Sequence, residues 1–350
     1  MSTVPHDHRE PGGPVVDETS FEQKEVAGLS QGQIVRRRFR RHKGAMISVV
    51  VLILIVILAA TSIGWGPIPH WWKWTYSETI PFVDDQSPTL KIWPFSNGFA
   101  WGDHPFGSDN EQGRDLFANV MRGTQQTLIV IVILGILATV IGVVIGALAG
   151  FYRGWVDSVL MRFTDLVITL PAILITAVLG FVFNASGVFV VAISLGLLSW
   201  TGLARLVRGE FLTLREREFV DAAKVAGASD ARIIFKHILP NTVGVIVVNV
   251  TLLMGGGILS EAALSFLGFG IQYPDISLGS LISLYAGKMS FQPWLFIWPG
   301  VMIIVIVLAI NFIGDGLRDA FDPRQKRIPK AKDLRRGAPE AATTSDAATA

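Results

Sequence analysis

Cysteine is absent from the 350-residue chain, which excludes disulfides and thiolate metal sites. Charged residues are also scarce, at 17% of the sequence against roughly 25% in soluble proteins. Residues 44–70, 123–152 and 166–204 contain no Asp, Glu, Lys or Arg. Each stretch is longer than the about 20 apolar residues that a helix needs to cross a bilayer. The composition therefore predicts a polytopic membrane protein, and excludes a soluble enzyme, a secreted disulfide-rich scaffold and a disordered chain.

The apolar runs predict an all-α fold with six transmembrane helices. These helices are expected at about residues 45–65, 127–150, 159–183, 188–206, 243–267 and 294–314. The third and fourth divide one uncharged run, because a single helix over residues 166–204 would reach about 58 Å, nearly twice the hydrocarbon core. The turn cluster at 184–187 is the predicted division point. An even number of spans places both termini on the same side of the membrane.

The positions of Lys and Arg indicate which side that is. Of the 30 basic residues, 25 fall in the two tails, between spans 2 and 3, or between spans 4 and 5. The positive-inside rule therefore predicts cytoplasmic termini. The resulting division is a cytoplasmic tail 1–43, span 1 at 44–65, an extracytoplasmic segment 66–123, a core of spans 2–6 at 124–316, and a cytoplasmic tail 317–350. Residues 1–30 and 335–350 have the composition of disordered segments, and the basic cluster at 36–43 favours contact with anionic lipid headgroups over nucleic acid.

Two extracytoplasmic segments are long enough to fold. The first is rich in tryptophan, at Trp65, Trp71, Trp72, Trp74, Trp93 and Trp101. Tryptophan next to a span is most often part of an interfacial belt, and a docking surface for an external partner is the alternative. In the second segment, residues 278–285 are apolar and predict a short re-entrant or interfacial helix.

The cytoplasmic segment between spans 4 and 5, residues 207–241, carries the strongest functional signal. Apolar residues recur at helical spacing up to Ala226, and Gly227 then suits a left-handed helix cap. Ser229 suits the N-cap of a second short helix, which Pro240 and Asn241 would close before span 5. Small residues crowd the bend and would let another surface approach closely. We therefore favour a protein-docking element over a solvated loop that packs only on itself.

Motifs for catalysis are missing from the sequence. There is no G-x-x-x-x-G-K-[ST] phosphate loop, no H-E-x-x-H metal motif and no G-x-S-x-G nucleophile elbow. We therefore expect no enzymatic activity, no metal site and no ATP bound by this chain.

Three residues in or near the spans are candidates for a gate or pathway. Glu261 interrupts span 5 and should face the bundle interior; a structural hydrogen bond is favoured over a pathway role. Asp165 lies three residues after Arg162, where an ion pair within the helix is the default. Pro171 should kink span 3 and shape a gate.

The cytoplasmic segment resembles the EAA loop of ABC importer permeases. Asp221-Ala222-Ala223, Gly227 and Leu239-Pro240 fall at the family spacing, with Asp221 in place of Glu and His237 at the usual Ile position. The sequences around Glu218 and His237, together with His104 to Asp115, Glu261 and Gly314 to Pro323, resemble the C-type permease subunits of dipeptide/oligopeptide importers. The resemblance covers about residues 33–327.

The resemblance implies a type I ABC importer permease fold in the cytoplasmic membrane of a prokaryote. It further implies a homologous B-type permease as partner, two ATP-binding subunits docked on 207–241, and an extracytoplasmic substrate-binding protein. ATP and Mg²⁺ would be used by those ATP-binding subunits. The implied coupling residues are Glu218, Asp221, Ala222, Ala223, Gly227, His237, Leu239 and Pro240. A nickel chelate, glutathione or an oligosaccharide remains an alternative cargo, and a stand-alone channel or carrier is the alternative of another class.

Overall fold

The computed structural model describes residues 31–79, 87–91, 100–109, 113–182 and 187–322. The predictions of disorder for 1–30 and 335–350, the division point at 184–186 and Trp93 lie outside the described residues. The described helices are α1 (Gln31–Arg41), α2 (Lys43–Ser62), α3 (Leu116–Tyr152), α4 (Gly154–Thr169), α5 (Ala172–Val182), α6 (Val188–Ser199), α7 (Thr201–Arg215), α8 (Glu218–Val225), α9 (Asp230–Arg232), α10 (Leu239–Phe266), α11 (Leu278–Tyr285) and α12 (Pro293–Phe321). A two-residue pair of antiparallel strands, β1 (Ser108–Asp109) and β2 (Arg114–Asp115), precedes α3.

Within the described residues, five helical stretches are long and apolar enough to cross a bilayer. The bent pair α4–α5 gives a sixth if it is counted as one span. These stretches follow the order of the six predicted spans, and the predicted helical fold is confirmed.

Helix α3 starts about one-third of its length before the predicted span. Asp115 caps the helix by accepting a hydrogen bond from the backbone N–H of Ala118 at 2.9 Å. Its first turns carry polar side chains, which a hydropathy pattern assigns to solvent, yet Gln125 and Gln126 are buried. The helix therefore begins inside the extracytoplasmic part of the protein and continues into the membrane.

The third span is broken at Pro171. Helix α4 ends at Thr169, α5 begins at Ala172, and the two helices meet at 76°. Proline has no N–H to continue the helix and disfavours helical backbone at the preceding residue; Leu170 is extended, with ψ of 125°. The kink is therefore present, whereas the gate role of Pro171 stays a prediction.

Glycines let α3 and α7 pack backbone against backbone. Gly142, Gly146 and Gly150 recur every four residues and face α7. A Cβ at Gly146 would lie 2.4 Å from the carbonyl oxygen of Ala204, closer than any real contact. Small residues at this spacing are the usual means of close helix approach in membranes.

Three tryptophans of the outer segment, Trp72, Trp74 and Trp101, form part of a folded core. Trp72 is 8% exposed, and its Nε1 donates to the carboxylate of Asp115 at 2.9 Å. Its ring packs on Phe117 and Trp101, with centroids 4.8 and 6.4 Å away. For Trp72 the lipid-belt interpretation is therefore wrong, because neighbouring aromatic rings cover the side chain. Trp71 stays 55% exposed.

Residues 278–285 form α11 as expected. Ser277 and Ser280 cap its start through reciprocal hydrogen bonds. Gly279 lies against the backbone of Ala262, which holds α11 on the outer end of α10.

Candidate functional site: the cytoplasmic loop

The cytoplasmic loop between the fourth and fifth spans consists of α8, a left-handed turn and α9. Gly227 has φ of +77° and donates its N–H to the carbonyl of Lys224 at 2.9 Å. The next N–H, from Ala228, reaches the carbonyl of Ala223 at 3.0 Å. This pair of bonds is a Schellman cap, in which glycine supplies the left-handed residue at low cost. The helix–Gly–helix arrangement expected from the sequence is present.

Ser229 occupies the N-cap position of the second helix, with extended backbone, but its side chain makes no capping hydrogen bond. Asp230 follows in the first turn, where a carboxylate suits the positive end of the helix dipole. The position predicted for Ser229 is therefore correct.

The predicted closure at Pro240 and Asn241 is wrong. Helix α9 continues without a break through a π-helical turn, Ile233–Ile238, into α10. In this wider turn the N–H of Leu239 reaches back five residues to Ile234, which accommodates a proline that cannot donate. Asn241 donates its side-chain amide to the carbonyl of His237 at 2.6 Å. Helix α9, the π-helical turn and α10 therefore form one continuous helical stretch, Asp230–Phe266, and the left-handed turn at Gly227 separates α8 from it.

One face of the element is locked to the spans. Val220 from α8 is fully buried, and so are Ile233 and Ile238 from the π-helical turn. They pack in one cluster with Phe211 of α7 and Phe151 at the end of α3. The loop therefore packs against the cytoplasmic ends of α3 and α7.

The opposite face is exposed. Val225 is 90% exposed at the end of α8, and Phe235 is 68% exposed. Ala222 is exposed, and a Cβ on Gly227 would meet nothing within 4 Å. This face of the loop therefore carries apolar and small residues that are open to the surroundings.

The predicted coupling residues fall into two groups. Glu218 begins α8, and the exposed carboxylate of Asp221 accepts a hydrogen bond from the Lys224 ammonium at 3.0 Å. Ala222, Ala223 and Gly227 complete this first group at the tip. His237, Leu239 and Pro240 form the second group, at the base where the continuous helical stretch enters span 5.

Arg–Asp and Arg–Glu pairs join α7 to its neighbours on the cytoplasmic side. Arg208 holds both carboxylate oxygens of Asp157 at 2.5 and 2.6 Å. Arg153, in the turn between α3 and α4, binds Glu216 at 2.6 Å. These contacts fix α7, and hence the start of the loop, on α3 and α4.

The predicted ion pair between Arg162 and Asp165 is wrong. Asp165 accepts from the guanidinium of Arg205 on α7 at 2.5 Å, and Arg162 is exposed. The three-residue spacing of Arg162 and Asp165 is compatible with an ion pair within α4. The packing of α4 on α7 instead brings Arg205 within ion-pair distance of Asp165.

Glu261 and Pro171 lie away from the loop. Glu261 is fully buried in α10 and accepts hydrogen bonds from Thr127 at 3.3 Å and Ser265 at 2.8 Å. These bonds fit the structural interpretation, because they tie α10 to α3. Its pathway role remains a prediction, like that of Asp165.

The sequence contained signals for two features that were not predicted. The Gly142, Gly146, Gly150 spacing indicates a close helix contact. The second feature is the tight turn between α3 and α4, where Arg153 has φ of 57°, a conformation usually reserved for glycine. Its sequence signal, the glycine of Arg153-Gly154, is weaker. In the described part of the chain, no cluster of three His, Asp or Glu side chains is placed to hold a metal.

The helical spans and the helix–turn–helix loop between the fourth and fifth of them define a multi-pass membrane protein, and comparisons with known proteins give its family. Residues 142–327 match the model of the binding-protein-dependent transport system inner membrane component family. Residues 30–88 match the N-terminal TM domain of oligopeptide transport permease C. The chain belongs to the binding-protein-dependent transport system inner membrane component family: it is a multi-pass permease subunit of an ABC transporter in the inner membrane, and not an enzyme.

Curated relatives match over most of their length. The oligopeptide transport system permease protein OppC of Haemophilus influenzae is 36% identical over 306 residues, covering 87% of this chain and 93% of the relative. OppC of Mycobacterium tuberculosis is 34% identical, covering 88% and 98%. A putative peptide permease of Brucella suis is 36% identical, covering 84% and 92%. Among solved structures, the inward-facing MetNI methionine ABC transporter matches with a TM-score of 0.49 and 20% identity, over 58% of this chain and 96% of that one.

Proposed function

We propose that this chain is the C-type permease subunit of an importer that carries di- and oligopeptides. The cargo follows from relatives named for oligopeptide transport, which cover nearly the whole chain. The observation that supports a coupling role is the two-faced loop: Val220 is locked to the spans while Val225, five residues on, is almost fully exposed.

The exposed face is where an ATP-binding subunit docks. The α8 tip presents Ala222 and Gly227 without bulk, so a groove on the partner can close over the helix. Asp221 offers a carboxylate at the rim for an ion pair across the interface. ATP and Mg²⁺ are bound in the partner, because this chain has no phosphate loop.

The buried face transmits the movement. When two ATP-binding subunits close on ATP, the docked loop is displaced toward its counterpart on a homologous B-type permease. Since α8 packs on α7 and α9 continues into α10, the spans rotate as one body. Rigid-body rocking of helix bundles is the general route to alternating access, and an extracytoplasmic binding protein delivers peptide to the outward-facing state.

ATP-driven uptake tests this function. The transporter is purified through a tag on this chain and reconstituted with its binding protein, and uptake of labelled trialanine is measured. We expect ATP-binding subunits to co-purify and the peptide to accumulate only with ATP. Accumulation that is independent of ATP would contradict the proposal, as would uptake of a nickel chelate, glutathione or an oligosaccharide but of no peptide.

A further inference from the structure

A second candidate site lies on the opposite side of the membrane. A cavity of about 400 Å³ opens between the start of α3, the loop after α10 and α11. Its apolar wall includes Ile271, Ile276 and Leu281, which are almost fully buried. The volume falls in the range of small-ligand sites, and the coupling loop does not contribute to it.

Arg114 brings to this cavity a positive charge that has no ion-pair partner among the described residues. Its guanidinium lies over the ring of Tyr273 at 4.7 Å and has no carboxylate partner among the described residues. The neighbouring acids are occupied: Asp275 pairs with Arg122 at 2.8 Å, and Asp109 pairs with Lys288 at 2.9 Å. Among the described residues, no carboxylate therefore occupies the Arg114 guanidinium, which can bind an anion.

Asn119 supplies an independent sign that the cavity takes a ligand with a hydrogen-bond donor. Its side chain lines the same cavity, is 1% exposed, and has an Oδ1 without any hydrogen-bond partner in the described part of the protein. A buried amide left unpaired costs folding free energy, so such groups usually serve a purpose. An amide oxygen accepts an N–H, which is the group that a peptide backbone offers.

We propose that this cavity binds the carboxyl-terminal end of a peptide on the extracytoplasmic side. The peptide carboxylate lies on the guanidinium of Arg114, the geometry in which arginine binds carboxylates in bidentate fashion. A backbone N–H donates to Asn119, and the terminal side chain packs on Ile271 and Leu281. One unpaired arginine beside the paired Asp275 suits a single negative charge and disfavours a phosphate dianion. The inference rests on the proposed peptide function and adds a permease-borne site to it.

Binding of trialanine to the purified transporter, without its binding protein, tests the site. We expect saturable binding that weakens at least tenfold when the peptide is C-terminally amidated or when Arg114→Gln is introduced. Arg114→Lys should restore part of the affinity. The matched control is Lys73→Gln, because Lys73 is also an extracytoplasmic cation over an aromatic ring, at 4.6 Å from Trp74, but it does not line the cavity.

Asn119→Leu separates a binding role from a packing role. The substitution removes the unpaired amide, so we expect the thermal midpoint of the peptide-free transporter to rise while trialanine affinity falls. A higher midpoint with unchanged affinity would overturn the role of Asn119 and, with it, the site.

The outcomes also separate this inference from the proposed function. If ATP-driven peptide uptake occurs but Arg114→Gln binds trialanine as the original chain does, the inference fails and the function stands. If Arg114→Gln instead releases the partner permease during purification, its carboxylate partner belongs to another subunit and the inference is overturned. Absence of any peptide uptake refutes the function itself.

Discussion

Gly227 shows how a single residue determines the shape of the cytoplasmic loop at 207–241. Its positive φ is required by the Schellman turn, and the space around it is open within this chain. The sequence could predict this residue, because glycine after a helical pattern is a local signal. The ion-pair partner of Asp165 could not be predicted in the same way. Arg205 lies on another helix, and only the packing of the two helices brings the pair together.

Gly227→Arg should uncouple transport without unfolding the chain. The left-handed backbone costs about 1–2 kcal/mol for a non-glycine residue, but a side chain there meets no atom of this chain. We expect normal membrane insertion, with peptide-stimulated ATPase activity and uptake falling at least tenfold; Gly227→Asp should act in the same direction.

Gly66→Arg is the control for that experiment. Gly66 also has a positive φ, at 59°, and open space around it, but it lies on the extracytoplasmic side. Uptake should therefore be little changed. If both variants lose uptake equally, backbone strain is responsible and the docking assignment of Gly227 is wrong.

Glu261 should contribute to stability more than to transport. Glu261→Gln keeps one acceptor oxygen and places an NH2 group, which a hydroxyl oxygen can accept, at the position of the other. Glu261→Ala removes the acceptor of both the Thr127 and the Ser265 hydroxyl and opens a cavity. We expect Glu261→Ala to cost about 2–4 kcal/mol and to lower the thermal midpoint clearly. Loss of uptake in Glu261→Gln at an unchanged midpoint would show instead that Glu261 belongs to the pathway.

At the scale of the elements, hydropathy predicted the spans well and their ends poorly. The late start predicted for α3 and the closure predicted at Pro240 fail for different reasons. Gln125 and Gln126 are buried by distant parts of the chain, and such burial leaves no trace in a local pattern. Pro240 is accommodated locally, by the π-helical turn before it, which a rule that proline ends a helix does not consider.

The contact between α3 and α7 depends on glycine. Gly146→Ala places a methyl group against the carbonyl of Ala204 and the side chain of Val207, so the helices must separate. We expect a loss of about 1–3 kcal/mol from this overpacking, measured as a lower thermal midpoint of the purified transporter. Gly202→Ala on α7 is the control, because nothing lies within 4 Å of it; its midpoint should be equal or higher.

At the scale of the whole molecule, the few charged residues indicate the orientation in the membrane, and the lack of cysteine allows labelling at a single site. The basic residues mark the cytoplasmic side, and the long cytoplasmic segment at 207–241 carries the proposed docking surface. The absence of cysteine means that a single introduced thiol is the only one in this chain. The docking surface can therefore be probed at one defined position.

Photo-crosslinking from Val225→Cys tests the central claim most directly. Val225 is 90% exposed at the tip of α8, and a maleimide carrying a benzophenone can be attached there in the assembled transporter. The account predicts a covalent adduct with an ATP-binding subunit, and none from Ile68→Cys, which is 40% exposed on the extracytoplasmic side. Labelling of Val225→Cys that yields no adduct with an ATP-binding subunit, in a transporter that hydrolyses ATP, would contradict it.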